Sequence, residues 1–270
     1  MTEDARPRVA WVTGASRGMG ANVAVELAAA GFDVALTARD QTLLDGVARE
    51  IETYGRRALP HAADLTDRRS VQAFADAALA EFARCDVLCN NGVYQGPGGR
   101  RLVMDTDLDE LVVSFEADVV APVLLCQRAI TSMLAHGGGT ILNMSSSSVF
   151  LEPPGTVEEN GWSLAYVAAK AGIDQLAGIL NVELGDRGIR AFSVEPGFVA
   201  YGERLEAMLQ KFPGVPVSPP ESIGPAVVWL VQSPEADRLL TKRVNLPGLT
   251  HKHGLLENWA GPGTIWHRTR

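Results

Sequence analysis

A tyrosine and a lysine four residues apart are the pair whose types and spacing most directly suggest chemistry. Tyr166 and Lys170 lie in the stretch SLAYVAAKAGIDQLAGILNVEL, where apolar and small residues recur at helical spacing. Residues four apart share one face of a helix, and a nearby ammonium lowers the pKa of a phenol from its usual ~10. The pair can then pass a proton to or from a substrate oxygen. The alternative is an exposed helix that carries an ordinary tyrosine and an ordinary lysine.

A glycine-rich turn near the N-terminus predicts a binding site for a dinucleotide. The segment from Thr13 to Gly20 reads TGASRGMG, and it lies between an apolar strand pattern and a helical pattern. Glycines at 14, 18 and 20 permit a tight turn and the close approach of a phosphate group, which the helix N-terminus then binds. The alternative is a turn with no ligand.

The end of the second predicted strand indicates which dinucleotide is bound. This strand ends in LTARD, so Ala38 and Arg39 stand where an acid would bind the ribose hydroxyl of NAD. An arginine suits the 2′-phosphate of NADP instead, and Arg17 in the glycine turn adds a second cation. NADP is therefore the expected cofactor, the alternative being two solvated surface arginines.

The elements that must position these residues alternate between strands and helices along most of the chain. Strands are predicted at 8–13, 33–37, 57–61, 86–89, 139–144, 189–194 and 239–246. Helices are predicted at 18–30, 40–54, 66–82, 108–135, 163–186 and 220–232, with a short helix after Gly202. The 66–82 helix has Thr66 or Asp67 as its N-cap, and Pro122 is expected to kink the 108–135 helix.

Repeated strand–helix units predict an α/β protein with one doubly wound, Rossmann-type domain. We expect a parallel sheet of about seven strands with helices on both faces. The domain is expected to span residues 1–270, with a core at 8–248 and a tail at 249–270 that leaves the pattern.

Composition limits the classes of partner and location. Of the 270 residues, 46% are hydrophobic, which predicts a packed globular protein. The net charge of −8 disfavours binding to nucleic acid or to anionic membranes. The N-terminus lacks the apolar core of a signal peptide and no run is long enough to span a bilayer, so a cytoplasmic protein is expected.

The metal-ligating residue types do not form a predicted metal site. Cys85, Cys89 and Cys126 are interpreted as reduced thiols in or near the core. His251 and His253 have a spacing that could serve a metal, but no third ligand is evident, so surface histidines are favoured.

The order of these motifs resembles the short-chain dehydrogenase/reductase family over residues 8–248, nearly the whole chain. Beside the glycines and the Tyr–Lys pair, the chain carries the family's adenine-binding acid and neighbour, its strand-four asparagine loop, its serine after strand five and its nicotinamide-side turn. These features are, in order, Asp64 and Leu65, then Asn90, Asn91 and Gly92, then Ser146, then Pro196 and Gly197. By the same resemblance Ser16, Met19 and Val199 are expected to contact the cofactor.

The resemblance implies a hydride transfer between a nicotinamide and a secondary alcohol or its ketone. Tyr166 would exchange the proton at the substrate oxygen. Lys170 would lower the Tyr166 pKa and hold the nicotinamide ribose, while Ser146 would orient the carbonyl. The family commonly forms tetramers through two long helices, so a homo-oligomer is implied, a dimer or a tetramer.

Several positions depart from the family's pattern. Asp118 stands where the family has an asparagine that supports a proton-relay water, so it joins the catalytic candidates. Val93 replaces a glycine, and Tyr201 replaces a threonine that holds the carboxamide. The segment EPPGTVEENGW lengthens the chain between Ser146 and Tyr166. Because Ser145, Ser147 and Ser148 adjoin Ser146, the serine assignment is open by one position.

Two other segments are placed by the resemblance or by their apolar residues. Residues 202–216 match the family's variable lid over the substrate, although plain packing explains their apolar spacing equally well. Trp259 and Trp266 in the tail are expected to cover a neighbouring subunit or the mouth of the site. Two other functions stay open, a non-catalytic NADP-binding protein and a lyase or isomerase on the same scaffold.

Overall fold

The structure is a computed structural model, and it describes residues 7–96, 101–159, 161–200 and 216–264. The predicted architecture is confirmed, because seven parallel strands form one sheet and hydrophobic cores lie on both of its faces. The central strands are runs of buried apolar residues, as is typical of parallel sheets that are covered on both sides.

The order of the strands places the ends of two central strands side by side. The strands of the main sheet are β1 Val9–Thr13, β2 Asp33–Ala38, β3 Ala58–Ala62, β4 Val87–Asn90, β5 Gly139–Met144, β6 Ile189–Glu195 and β9 Arg243–Asn245. Their order is β3-β2-β1-β4-β5-β6-β9. The chain winds outward from β1 to β3, returns to the centre at β4 and winds the other way. Open α/β sheets bind ligands at such a reversal, outside the carboxyl ends of the strands.

The helices form a layer on each side of this sheet. They are α1 Gly18–Ala29, α2 Gln41–Glu52, α3 Arg68–Phe82, α4 Leu108–Phe115, α5 Ala121–Ala135, α6 Leu164–Leu184, α7 Gly224–Gln232 and α8 Leu246–Lys252. One core includes apolar residues of α1, α2, α7 and α8, among them Leu27, Leu44, Leu230 and Leu249. The other includes residues of α3, α5 and α6, among them Phe74, Leu125 and Ala177. Within the described ranges, no helix is both long and apolar enough to cross a bilayer.

The long helix predicted at 108–135 is interrupted by a π-helical turn at Glu116–Val120. The Ala121 N–H donates to the Glu116 carbonyl, five residues earlier, instead of to the carbonyl four residues earlier. Pro122 follows at once and has no N–H to donate, so the expected irregularity lies just before the proline. The turn brings Asp118 into the interior, where its side chain is buried.

The helix that carries Tyr166 and Lys170 is fixed at its start and along its length. The Ser163 hydroxyl caps α6 by accepting from the Tyr166 N–H at 3.3 Å. Further along the helix, the buried Asp174 carboxylate accepts from the Ser193 hydroxyl of β6 and from Arg243 Nε of β9 at 2.8 Å. Burial alone raises the pKa of Asp174, but these hydrogen bonds outweigh it and leave the pKa below its ordinary value. These contacts hold α6 against the ends of two strands.

The last strand is shorter than predicted, so the 239–246 assignment was wrong at both ends. Leu239 ends a 3₁₀ helix at Pro234–Leu239 and residues 240–242 form a turn, leaving only Arg243–Asn245 as strand. The last residue of the predicted strand starts α8, because the Asn245 side chain accepts from the Gly248 N–H at 2.7 Å and caps that helix. A parallel pair of β7 Phe198–Val199 and β8 Val217–Ser218 was not predicted.

The described part of the tail packs on its own chain. Leu249 and Thr250 of α8 are buried, and the Thr250 hydroxyl donates to the Ser222 carbonyl at 2.7 Å. Trp259 is 7% exposed and lies edge-on to the His251 ring, with 6.2 Å between ring centroids. The second predicted tryptophan, Trp266, and most of the expected lid at 202–216 lie outside the described residues.

Candidate active site

The turn after β1 forms a close-packed cradle that only glycine can build. Gly14 and Gly18 have φ angles of +65° and +59°, in the left-handed region that favours glycine. A Cβ on Gly20 would lie 2.2 Å from the Gly14 carbonyl oxygen, so a side chain there is excluded. The N-terminus of α1 therefore stands open at the edge of the sheet, with its first amides free to bind an anion.

The loop after β4 is bonded directly to this turn. The Thr13 hydroxyl accepts from the backbone N–H groups of Asn91 at 3.0 Å and of Gly92 at 2.8 Å. The Asn91 amide in turn donates to the Thr13 carbonyl at 2.9 Å. Asn91, expected at the cofactor, therefore also braces the glycine turn. The two loops meet where the winding of the sheet reverses.

A cavity of about 1140 Å³ opens along this edge. It brings together most of the residues expected at the cofactor, namely Gly14, Ser16, Arg17, Gly18, Met19, Gly20, Arg39, Asp64, Leu65, Asn91, Gly92 and Val199. The catalytic candidates Ser146, Tyr166, Lys170 and Asp118 do not line it, nor do Pro196 and Gly197.

Two exposed arginines line the cavity. Neither Arg17 nor Arg39 forms an ion pair with another described residue. The neighbouring Asp40 caps α2 by accepting from the Leu43 N–H at 3.1 Å. The Asp40 carboxylate is therefore engaged by a helix.

The acid expected at the adenine is held in a fixed orientation. Asp64 Oδ1 accepts from the Thr66 N–H and from the Thr66 hydroxyl, both at 2.9 Å. The Asp64 N–H donates to the Ser70 hydroxyl at 3.0 Å. Asp67, one of the two expected caps, accepts from the Arg69 N–H and caps α3.

Lys170 is buried, with only 5% of its surface exposed. Its Nζ donates to the Met144 carbonyl at the end of β5, at 2.7 Å. Burial lowers the pKa of Lys170, and the Asp118 carboxylate offsets part of that effect. The ammonium is thus fixed beneath the carboxyl end of the sheet by a carbonyl dipole and a nearby negative charge.

Tyr166 lies one helical turn before Lys170, and Ser146 lies near enough to its hydroxyl to affect the pKa of the phenol. The Ser148 hydroxyl donates to Ser146 Oγ at 3.0 Å, so Ser146 lies between Ser148 and Tyr166. Burial raises the pKa of Tyr166, Ser146 lowers it in part, and the Asp118 charge raises it again. The pKa stays above its ordinary value because the phenol is buried, and this corrects the expectation of a lowered pKa.

Asp118 connects this group to the loop after β4. Its Oδ1 accepts from the Tyr94 N–H at 2.7 Å, across the edge of the cavity. Burial raises the pKa of Asp118 to about 6, although Lys170 and the Tyr94 bond both lower it. The carboxylate is therefore the titrating group that lies between the tyrosine, the lysine and the cavity.

The turn after β6 closes the site on a third side. Pro196 is partly buried, and Gly197 has a φ angle of +62°, so the chain reverses sharply and sends Val199 to the cavity. Tyr201, the departure from the family's threonine, lies outside the described residues. Val93, the other loop departure, is 38% exposed and lines the cavity.

The remaining thiols and imidazoles take no part in this site. All three cysteines are free and buried, as expected, and burial raises the pKa of Cys89 and Cys126 to about 12. The His253 ring packs on the Trp229 ring, with 4.5 Å between the ring centroids, whereas the His251 ring contacts Trp259. Among the described residues, no cluster of three His, Cys, Asp or Glu side chains suits a metal ion.

Sequence reasoning missed three groups that shape the site. The Met144 carbonyl and the Thr13 hydroxyl act through backbone contacts, which a residue pattern does not reveal. Tyr94 lines the cavity and carries a signal that could have been noticed, an aromatic residue just after the Asn-Asn-Gly loop.

These residues suit a dinucleotide. The cradle has no room for a Cβ at Gly20, and the buried Asn91 Oδ1 has no hydrogen-bond partner within the described chain. The glycine turn and Arg39 would hold the phosphates, and Asp64 with Leu65 would hold the base.

We predict that Asp118 makes the folded protein less stable as the pH rises from about 4 to about 6. Its folded pKa of about 6 exceeds the unfolded value of ~3.9, so the folded state binds the extra proton between them. Asp118→Asn keeps the acceptor for Tyr94 and removes the charge. Denaturant unfolding should show it up to about 3 kcal/mol more stable at pH 7 and unchanged near pH 4.

The exposed Asp105→Asn is the matched control and should keep the parent's pH dependence. If the free energy of unfolding of Asp118→Asn fell with rising pH as much as that of the parent, another group would be the one that titrates.

Comparisons with known proteins agree with this geometry. The family model for short chain dehydrogenase matches residues 8–209. A 3-oxoacyl-[acyl-carrier-protein] reductase from Synechocystis sp. is 31% identical over 89% of this chain and 96% of its own length.

Solved structures give the same result. Acetoin dehydrogenase from Enterobacter cloacae has a TM-score of 0.77 at 29% identity, over 89% of this chain and 94% of that one. A metagenomic short-chain oxidoreductase in complex with NADP has a TM-score of 0.69 at 33% identity, over 88% and 96%. The chain belongs to the short-chain dehydrogenase family, whose members interconvert alcohols and carbonyl compounds with a nicotinamide cofactor.

Proposed function

We propose that this protein is an NADP-dependent oxidoreductase that interconverts a secondary alcohol and its ketone, with Tyr166 as the acid or base. The observation that carries the proposal is the arrangement of Tyr166 one helical turn before a buried Lys170, with Ser146 near enough to lower the pKa of the phenol, in a protein whose cavity is lined by a glycine turn and two arginines. One relative is named as a reductase of a 3-oxoacyl group and one solved structure as a dehydrogenase of acetoin, which supports the substrate class.

Each side chain has a separate role in the proposed reaction. The nicotinamide, when bound, supplies or accepts the hydride at the substrate carbon. Ser146 donates to the substrate oxygen and orients it toward Tyr166. Because burial keeps the phenol protonated, Tyr166 is ready to give its proton to that oxygen as the ketone is reduced. Lys170 holds a positive charge beneath the phenolate that is left behind.

Asp118 would restore the proton to this group. It lies close enough to Tyr166 and Lys170 to affect the pKa of both, and its own pKa of about 6 allows it to exchange protons near neutral pH. An asparagine at this position could bind a water but could not itself titrate.

We further propose that the chain forms one domain over residues 1–270 and assembles as a homo-oligomer. Trp259 of the tail is buried on the chain's own core, which supports the single domain. Exposed apolar side chains line the adjacent helices α4 and α6, namely Leu108, Val112, Phe115, Ile179 and Val182. Such a stripe on two neighbouring helices is suited to packing against its own copy.

Two other functions remain as outcomes of the tests. A non-catalytic NADP-binding protein would bind NADPH tightly and turn over no carbonyl. A lyase or isomerase would change a substrate without net consumption of NADPH.

We predict that Tyr166→Phe slows ketone reduction by about 10²–10⁴-fold, because it removes the proton donor and keeps the ring. The dissociation constant of NADPH should change little. Lys170→Met should lower both the rate of ketone reduction and the affinity for NADPH, since it removes the buried charge. The measurement is single-turnover NADPH oxidation with a panel of a 3-oxoacyl thioester, diacetyl and cyclohexanone.

Tyr54→Phe, on an exposed tyrosine remote from the cavity, is the control and should match the parent. Full turnover by Tyr166→Phe would remove Tyr166 from the mechanism.

We predict that NADPH binds at least tenfold tighter than NADH. A charge-assisted hydrogen bond contributes about 1.5–3 kcal/mol, and Arg39 with Arg17 can offer one each to the 2′-phosphate. Arg39→Asp should reduce or reverse the preference, whereas Arg49→Asp, an exposed arginine outside the cavity, should not. Fluorescence titration with NADPH and with NADH measures the ratio of the two affinities, and equal affinities in the parent would contradict the choice of NADP.

We predict that Val182→Asp weakens self-association. Val182 is 88% exposed, so a charge there costs the monomer little but is costly in an apolar interface. Light scattering after size exclusion should show a smaller mass than the parent, while Tyr54→Asp should not change it. A parent that is monomeric at all concentrations would refute the assembly.

A further inference from the structure

Tyr94 is a cavity residue to which neither the family's pattern nor the mechanism assigns a role. It lines the cavity together with Arg39, Asp64 and Leu65, the group placed at the adenosine end. A Cβ on Gly92 would lie 2.5 Å from Leu65 Cδ1, so the loop that carries Tyr94 passes directly beside Leu65. The Asp64 and Arg39 charges both lie near enough to affect the pKa of the Tyr94 phenol, so the phenol lies near these two residues.

The Tyr94 ring is held in place from three directions. Its hydroxyl donates to Glu110 Oε2 of α4 at 3.1 Å, and its N–H donates to Asp118 Oδ1 at 2.7 Å. A Cβ on Gly96 would lie 2.1 Å from the ring carbon Cζ, so the loop folds tightly under the ring. An aromatic side chain this constrained loses little freedom when it binds a ligand.

The chemistry of the ring selects the kind of contact that it can make. Burial raises the pKa of Tyr94, and the Glu110 carboxylate raises it further, so the phenol stays neutral. Its hydrogen is already donated to Glu110, which leaves the ring surface as the part available to a ligand. A flat apolar surface beside Leu65 suits a heteroaromatic base rather than a phosphate.

We propose that Tyr94 is a further nucleotide-binding residue that packs against the adenine base of the dinucleotide. The inference rests on the proposed cofactor, and it adds an aromatic wall to the Asp64–Leu65 pocket. Base stacking on an aromatic residue is worth about five- to a hundredfold in affinity. Tyr94 is thus a determinant of cofactor affinity that is separate from the arginines at the 2′-phosphate.

The test uses the full chain and three probes, measured by isothermal titration. NADPH carries both halves of the dinucleotide, adenosine 2′,5′-bisphosphate carries the adenine half, and reduced nicotinamide mononucleotide carries the other half. The variants are Tyr94→Ala and Tyr94→Phe, with Tyr54→Ala as the matched control. Thermal unfolding of each variant checks that the loop change does not unfold the protein.

Tyr94→Ala should weaken the binding of NADPH and of adenosine 2′,5′-bisphosphate about tenfold and leave the binding of the mononucleotide unchanged. Tyr94→Phe keeps the ring and should stay within about threefold of the parent, as should Tyr54→Ala. Unchanged binding of both adenine probes by Tyr94→Ala overturns the inference and leaves the dinucleotide site intact. Equal weakening of all three probes also overturns it, because Tyr94 then only braces the loop. If the parent binds no probe, the proposed cofactor site itself fails.

Discussion

The burial of the Lys170 ammonium is the constraint on which the rest of the site depends. An ammonium loses several kcal/mol of hydration in the interior and persists there only with partners, here the Met144 carbonyl at 2.7 Å and the Asp118 charge. Each partner requires a piece of the fold. The end of β5 must meet α6, and the π turn must bring Asp118 inward. Once Lys170 is fixed, Tyr166 one turn earlier has a single position beside Ser146.

The reversal of the sheet at β1 and β4 supplies the other half of the site. Thr13 bonds both loops together, and the missing side chain of Gly20 allows the Gly14 carbonyl and the Asn91 amide to pack against α1. The loop after β4 then continues to Tyr94, whose backbone reaches Asp118. The loop after β4 therefore connects the nucleotide end of the site to the proton-transfer end, through the hydrogen bond from the Tyr94 N–H to Asp118.

Much of this could be predicted from sequence because the signals were local. Strand and helix periods, the glycine turn and the spacing of Tyr166 and Lys170 depend on neighbours in the chain, and six of the seven main-sheet strands match within a residue or two. The last strand was predicted too long because a 3₁₀ helix precedes it and Asn245 caps the helix that follows it. The prediction of a lowered pKa for Tyr166 was wrong because burial of the phenol raises that pKa, and burial depends on residues that are distant in sequence.

The transfer of deuterium from cofactor to substrate tests the central claim most directly. Parent protein is mixed with NADPH deuterated at the transferable position and with diacetyl, cyclohexanone or a 3-oxoacyl thioester, and the product is examined by mass spectrometry and NMR. We expect one deuterium on the new carbinol carbon of at least one product, formed at a rate that Tyr166→Phe lowers by about 10²–10⁴-fold. Tight binding of NADPH with no deuterium transferred to any carbonyl would contradict it.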